Sequence, residues 1–312
     1  MGSIITGIIE EGLVYAILSF GIYITYSILD FPDLSVDGTY PLGAAVTAAM
    51  IAAGADPLLT LPVAFLAGAL AGVLTGTIHV KLGVRDLLSG IIVSTGLYSI
   101  NLRIAGKSNL PIFSKDSIFS NGLVDSIFAG GLAAFSNAII LFAIVLVLKL
   151  LLDAYLNTRS GYLLRAAGSN QKLVISLAKN DGTVKIIGLA LANGFAAFAG
   201  CIMAQKQGFF ELSMGTGMMV IGLANVIIGT QLFTRRGRLR ATTAVALGAI
   251  IYRACVALAI NAGMQPGDMK LITAVLFLII IALGNLRKDR IRKMSHEGAH
   301  DSSRGTASAG EG

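Results

Sequence analysis

Long apolar stretches alternate with short polar ones along the chain. Nine apolar runs stand out, at residues 13–29, 40–53, 59–79, 87–104, 132–152, 184–204, 218–228, 241–260 and 271–286. A bilayer core of about 30 Å takes about 20 apolar residues as a helix. Lipid offers no partner to a free N–H or C=O, so single spans of this kind must be helical. The pattern predicts an all-α, polytopic transmembrane helical bundle of nine helices, or ten if one run hides two. The runs at 40–53 and 218–228 are short and follow polar segments, so they are expected to be broken or partly re-entrant.

Composition supports the membrane reading and removes alternatives. Of 312 residues, 55% are hydrophobic and 13% charged, with mean hydropathy +0.78. A soluble domain carries about 25% charged residues. The 37 glycines suit helices that approach closely through small residues. Cys201 and Cys255 both lie in apolar stretches, and the histidines are His79, His296 and His300. No HExxH, GxSxG, CxxC or GxxxxGK[ST] pattern is present, so no enzyme, metal or cofactor site is expected. With no P-loop pattern, any ATP hydrolysis would fall to another subunit.

The charges are sorted rather than scattered. With the C-terminus placed in the cytoplasm, nine spans put the N-terminus outside. Of the 24 Lys and Arg, eighteen then fall inside and five outside, with Arg253 within a span. That is the positive-inside bias, so the net charge of +7 reflects topology and not nucleic acid. Residues 1–294 are read as the membrane domain. The small polar tail 295–312 is expected to be a disordered cytoplasmic end.

A short motif occurs twice. Phe31-Pro32-Asp33-Leu34-Ser35 and Phe209-Phe210-Glu211-Leu212-Ser213 both read Phe-x-acid-Leu-Ser, and both lead through glycines into a short apolar run. The first copy is expected on the inside and the second on the outside. The spans then group as four, one and four, which suggests inverted repeats at about 12–105 and 184–286. Three carboxylates, Asp30, Asp33 and Asp37, sit between two spans, with Pro32 and Gly38 interrupting a continuous helix. Such backbone at membrane depth belongs beside a cavity or inside protein. Asp33, Ser35, Asp37, Gly38, Glu211 and Ser213 are therefore candidates for a translocation pathway or gate. The plain alternative is a solvated loop.

The outside stretch 105–131 is of mixed polarity and is expected to carry a short surface helix. The inside loop 153–183 contains a second candidate. In it Leu163, Leu164, Ala167 and Leu173 can share one side of a helix, with Arg165, Asn170 and Lys172 around it. Such a helix suits a cytoplasmic partner or the lipid surface. Polar residues within spans (Ser89, Ser94, Thr95, Ser99, Asn101, Asn193, Asn225, Arg253 and Asn261) are expected mainly as interhelical hydrogen-bond glue, a minority lining a path. Arg253 could snorkel, pair with a carboxylate or attract an anion.

Three stretches carry a family resemblance: 29–45 (LDFPDLSVDGTYPLGAA), 87–103 (LLSGIIVSTGLYSINLR) running on to 106–109 (GKSN), and 158–170 (TRSGYLLRAAGSN). The sequence resembles permease subunits of bacterial ABC importers of the branched-chain amino acid and ribose group, near the tryptophan/tyrosine branch. The resemblance covers about residues 10–290. It implies the type II ABC importer fold in a bacterial inner membrane. It also implies a second permease copy, a cytoplasmic ABC ATPase and an extracytoplasmic solute-binding protein. The third stretch would be the coupling helix, with Arg165, Ala166, Ala167, Gly168 and Asn170 at matching positions, although the leading Glu of other importers is missing. The solute would be an amino acid, aromatic by the branch. A carrier driven by H⁺ or Na⁺, using Asp33, Asp37 or Glu211, is the alternative.

Overall fold

The apolar runs become helices whose ends are set by local chemistry. In the computed structural model, the described residues are 2–121, 126, 135–169, 181–233, 239–264, 268, 271–275, 278 and 282. Helix α1 (Gly2–Ile22) continues as a π-helical turn, Tyr23–Ile28. The chain then breaks, with Asp30 in the left-handed region at φ 53°, and re-enters as α2 (Val36–Ala52). Helix α3 (Pro57–Leu82) starts on an Asp56 side chain that accepts from Leu58 N at 2.8 Å, with Pro57 where its missing N–H costs nothing. It stops at Gly83, left-handed at φ 68°. Helix α4 (Asp86–Ala105) leads to strand β1 (Asn109–Pro111). Helices α5 (Ser136–Leu156), α6 (Arg159–Ser169) and α7 (Asp181–Gln207) follow. Strand β2 (Phe209–Glu211), a 3-10 turn (Leu212–Gly215), α8 (Met218–Phe233) and α9 (Ala241–Asn261) come next.

Among the described residues, seven helical segments are long and apolar enough to cross a membrane. These are α1 with its π turn, α3, α4, α5, α7, α8 with its preceding turn, and α9. The expected run at 271–286 lies mostly outside the described residues, although 271–275 are helical. The tail 295–312 lies outside them altogether.

Helix α7 is the centre of the bundle. Helix α3 runs antiparallel along it through three glycines: a Cβ on Gly68, Gly72 or Gly76 would lie 2.3 Å from Asn193 O, 2.2 Å from Leu189 O or 2.9 Å from Ile186 Cα. Small residues therefore face inward on α3, while Leu58, Leu66, Leu70 and Leu74 face outward. This reverses the pattern of a soluble helix, because lipid provides no apolar drive between helices and close backbone packing takes its place. Helix α2 runs parallel to α7, with Thr39 at Asn193 and Gly43 on the Ala197 carbonyl. At about 1.5 Å per residue, α2 is only about 25 Å long. It is buried along most of its length.

Two expectations change here. Pro32 lies in the break, but Gly38 does not interrupt a helix. It lies in the first turn of α2, where a Cβ would meet Ser94 Cα at 2.8 Å. Within Phe31–Ser35, Phe31 packs edge-on against His79 near the end of α3, while Asp33 and Ser35 bond to Asn193, about midway along α7. Finally, residues 109–111 form a strand, pairing antiparallel with β2 at Asn109↔Glu211 and Pro111↔Phe209. The described part of the stretch expected to carry a surface helix, 106–121, holds no helix, and residues 122–125 and 127–131 lie outside the described set.

Candidate functional site

Two layers of polar groups surround the break after α1. The inner layer is a closed network. Asn193 Nδ2 donates to Asp33 Oδ2 at 2.7 Å, and Asn193 Oδ1 accepts from Ser35 Oγ at 3.0 Å and Thr39 Oγ1 at 2.7 Å. Asp33 Oδ1 accepts from Ser35 N at 2.8 Å. All four residues are fully buried. Asp33 and Ser35 thus fasten the broken segment to α7, and neither lines the cavity beside it.

The outer layer faces that cavity. Asp37, on the first turn of α2, accepts from Gly217 N at 3.1 Å and Met219 N at 2.9 Å, capping the N-terminus of α8. Gly215 allows the approach, since a Cβ there would stand 2.0 Å from Asp37 O. Pro41 has no N–H for that carbonyl, which an ordinary helix would supply. Asn101 Nδ2 of α4 donates to Gly38 O at 3.0 Å. Glu211 Oε1 accepts from Ser213 Oγ at 2.6 Å. Asp37, Gly38 and Pro41, with Ser94, Tyr98 and Asn101 of α4 and residues 211–213, line a cavity of about 530 Å³. The structure therefore brings together Asp37, Gly38, Glu211 and Ser213 of the six candidates. The two Phe-x-acid-Leu-Ser segments differ in kind: Asp33 is sealed in, whereas Glu211 is exposed.

Helix α6 sits at the other end of the break. A Cβ on Gly168 would lie 1.8 Å from the Ile28 carbonyl, so α6 abuts the end of the π turn. Leu164 and Ala167 are buried, Ala166 is half-buried and Arg165 is exposed. Asn170 lies outside the described residues. Arg165 borders a second cavity of about 270 Å³ with Tyr23, Asp153, Arg240 and Thr242. There Asp153 holds Lys149 at 2.9 Å, Arg240 at 3.2 Å and Thr242 at 2.6 Å.

Several of the remaining intramembrane polar groups pair with one another, and others donate to carbonyls of their own helix, as Thr75 does to Ala71 O. Arg253 pairs with Glu11, and Lys206 with Glu10 at 3.2 Å, so the acids of α1 are consumed within the bundle. Asn225 donates to Ser19 at 2.9 Å. Gln205 was not singled out from sequence, yet it bonds Thr60 at 2.8 Å and Ile118 N at 3.0 Å. Tyr98 falls within the fourth apolar run, three residues before Asn101, and that spacing is the signal that marks it. No group of three or more His, Cys, Asp or Glu able to hold a metal occurs among the described residues.

Residues 4–283 match the family described as branched-chain amino acid transport system / permease component. The chain belongs to that family. The permease is 42% identical to the tyrosine transport system permease protein of Clostridioides difficile, over 90% of this chain and 92% of that one. It is 32% identical to an uncharacterized protein of Rickettsia prowazekii, over 93% and 99%. A ribose import permease protein of Haemophilus influenzae is 26% identical over 79% and 71%. Among solved structures, PsaBC from Streptococcus pneumoniae in complex with Fab superposes with TM-score 0.50 at 14% identity, covering 89% of each chain, which bears on the fold alone.

Proposed function

We propose that the permease is the membrane subunit of an ATP-driven importer for a small amino acid-like solute, in the range of tyrosine. It works in a bacterial inner membrane with the C-terminus cytoplasmic and the N-terminus outside. Its partners are a second permease copy, a cytoplasmic ABC ATPase and an extracytoplasmic solute-binding protein. Inverted repeats at about 12–105 and 184–286 rock about the pathway. Asp37, Gly38, Glu211 and Ser213 line or gate it, with Asp33 and Ser35 anchoring the gate.

The observation that carries this reading is the seat of α6. Gly168 rests on Ile28, the last residue before the break, and the break leads directly into α2 and Asp37. A push on Arg165, Ala166, Ala167, Gly168 and Asn170 from an ATPase reaches the cavity through about ten residues of chain. Asp37 then passes it to α8 through its two cap bonds. The kinship with a tyrosine transport permease supports the solute class.

Co-purification of the full chain with its genomic neighbours tests the proposal. A bound ATPase, and uptake that falls with Arg165→Glu and with ATP depletion, are expected. If no ATPase binds and Arg165→Glu leaves uptake unchanged, the coupling role is lost. Uptake that survives ATP depletion but collapses with an ionophore would point to ion coupling.

A further inference from the structure

We propose that the second cavity, bordered by the π turn, the end of α5, α6 and the start of α9, holds the phosphate of an anionic phospholipid. The site is separate from the transport path, and it does not depend on what the path carries.

Four elements bring donors to this cavity of about 270 Å³. Tyr23 comes from the π turn, Asn157 from the end of α5, Arg165 from α6, and Arg240 and Thr242 from the start of α9. Asp153 is the one carboxylate among the lining residues, and both its oxygens are occupied. Oδ1 accepts from Thr242 Oγ1, and Oδ2 holds Lys149 Nζ and Arg240 Nη1. Lys149, Arg165 and Arg240 therefore outweigh a single acid. Arg240 gives Asp153 one nitrogen, and its side chain is still 67% exposed. Arg165 is exposed and forms no ion pair among the described residues. The cavity thus offers donors and positive charge, and the ligand it suits is an anionic acceptor.

The backbone of α9 points the same way. Arg240 stands at its N-cap and makes no side-chain capping bond, and its first turn carries no acid. The first N–H groups of a helix find no carbonyl within that helix, and its N-terminal end carries partial positive charge. Such an end beside arginines suits a phosphate.

The surroundings select a lipid over a soluble anion. The cavity lies at the ends of three spans, α1, α5 and α9, where headgroups sit. Leu146 and Leu150 share the side of α5 that carries Asp153, further towards the middle of the span, and both are exposed. A lipid whose phosphate rests on Arg165 and Arg240 lays its acyl chains against them. The volume is also below the roughly 300–1,000 Å³ of small-molecule sites, which suits a headgroup better than a whole solute.

The test uses the purified full-length permease, delipidated in detergent, with lipid binding followed by native mass spectrometry. Phosphatidylglycerol and phosphatidylcholine of the same acyl chains are the probes. Phosphatidylglycerol should bind at least about tenfold more tightly, because two arginines meet its net charge. Arg240→Gln should weaken it by about fivefold, the scale of one Lys or Arg near an anionic headgroup. Tyr23→Phe keeps every charge and every Asp153 pair, and should weaken it by about threefold, the scale of one hydrogen bond. Lys81→Gln, at an exposed basic position in the last turn of α3 and outside the cavity, should leave binding unchanged. Equal binding of the two lipids by the wild-type chain overturns the proposal, whatever the fate of the variants. No loss in Arg240→Gln and Tyr23→Phe overturns it too. So does an equal loss in Lys81→Gln, since diffuse surface charge would then explain the preference. Displacement of phosphatidylglycerol by millimolar inorganic phosphate would give the cavity to a soluble anion and overturn the lipid assignment.

Discussion

Asn193 does at the middle of the bundle what no stretch of local sequence can do. It joins residues about 160 positions apart by offering its amide to Asp33 and its carbonyl oxygen to Ser35 and Thr39. Removing it takes the amide donor from the buried Asp33 carboxylate and the acceptor from the Ser35 hydroxyl, while Asp33 keeps the Ser35 N–H and Thr39 its bond to Ser35 O. Asn193→Leu should therefore cost about 3 kcal/mol or more, read as a large drop in the thermal midpoint in detergent. Asp33→Asn on that background should recover part of the loss. If the double variant melts no higher than the single one, the coupling is absent. Asp37 plays a different part, since its carboxylate caps a helix of the opposite half. Asp37→Ala should cost about 1 kcal/mol of stability but lower uptake more severely than that loss of stability explains. A variant that melts lower yet transports normally would confine Asp37 to structure. Arg253 was open to three readings, and the structure gives it Glu11.

At the scale of elements, the α3–α7 seam shows how a membrane helix chooses its inner face. Large side chains point to lipid, and Gly68, Gly72 and Gly76 meet the α7 backbone. Gly72→Val places atoms where the Leu189 carbonyl already stands, so loss of about 1–3 kcal/mol or failure to fold is expected. Gly7→Ala, where nothing lies within 4 Å of the added carbon, should melt at or above the wild-type midpoint, because alanine favours helix by about 0.5–1 kcal/mol. Size-exclusion profiles and thermal melts in detergent compare the two. Equal behaviour would mean that the seam is looser than the distances imply. The spans themselves were legible as apolar runs. The inner faces were not, because in lipid the apolar pattern marks neither side. The β1–β2 pair was not legible either, since three-residue strands about 100 residues apart carry no periodic signal.

For the whole molecule, the two ends of the bundle are chemically distinct. One carries β1 and β2, and α6 lies towards the other. The Lys and Arg bias predicts that the α6 side is cytoplasmic. With Cys255 replaced by alanine, Asn109→Cys should react with a membrane-impermeant thiol reagent added to spheroplasts. Ser169→Cys should react only after the membrane is opened. The reverse pattern would invert the topology. Both positions are exposed, so failure of access is not the explanation for protection.

Sequence by itself determined that this chain is a membrane-spanning helical protein and where most of its spans run. Those follow from the cost of placing charge or unpaired backbone in lipid, a cost paid residue by residue along the chain. It also marked the acidic segment at 30–41 and the basic segment at 158–170 as places where the pattern fails. Only the tertiary structure decided that these two meet, at Gly168 and Ile28, and that Asp33 is sealed while Asp37 reaches across to α8. Both are acids in one short segment, four residues apart. What separates them is the neighbour each finds on distant helices, and contacts between distant helices leave no mark in the local pattern of a single chain.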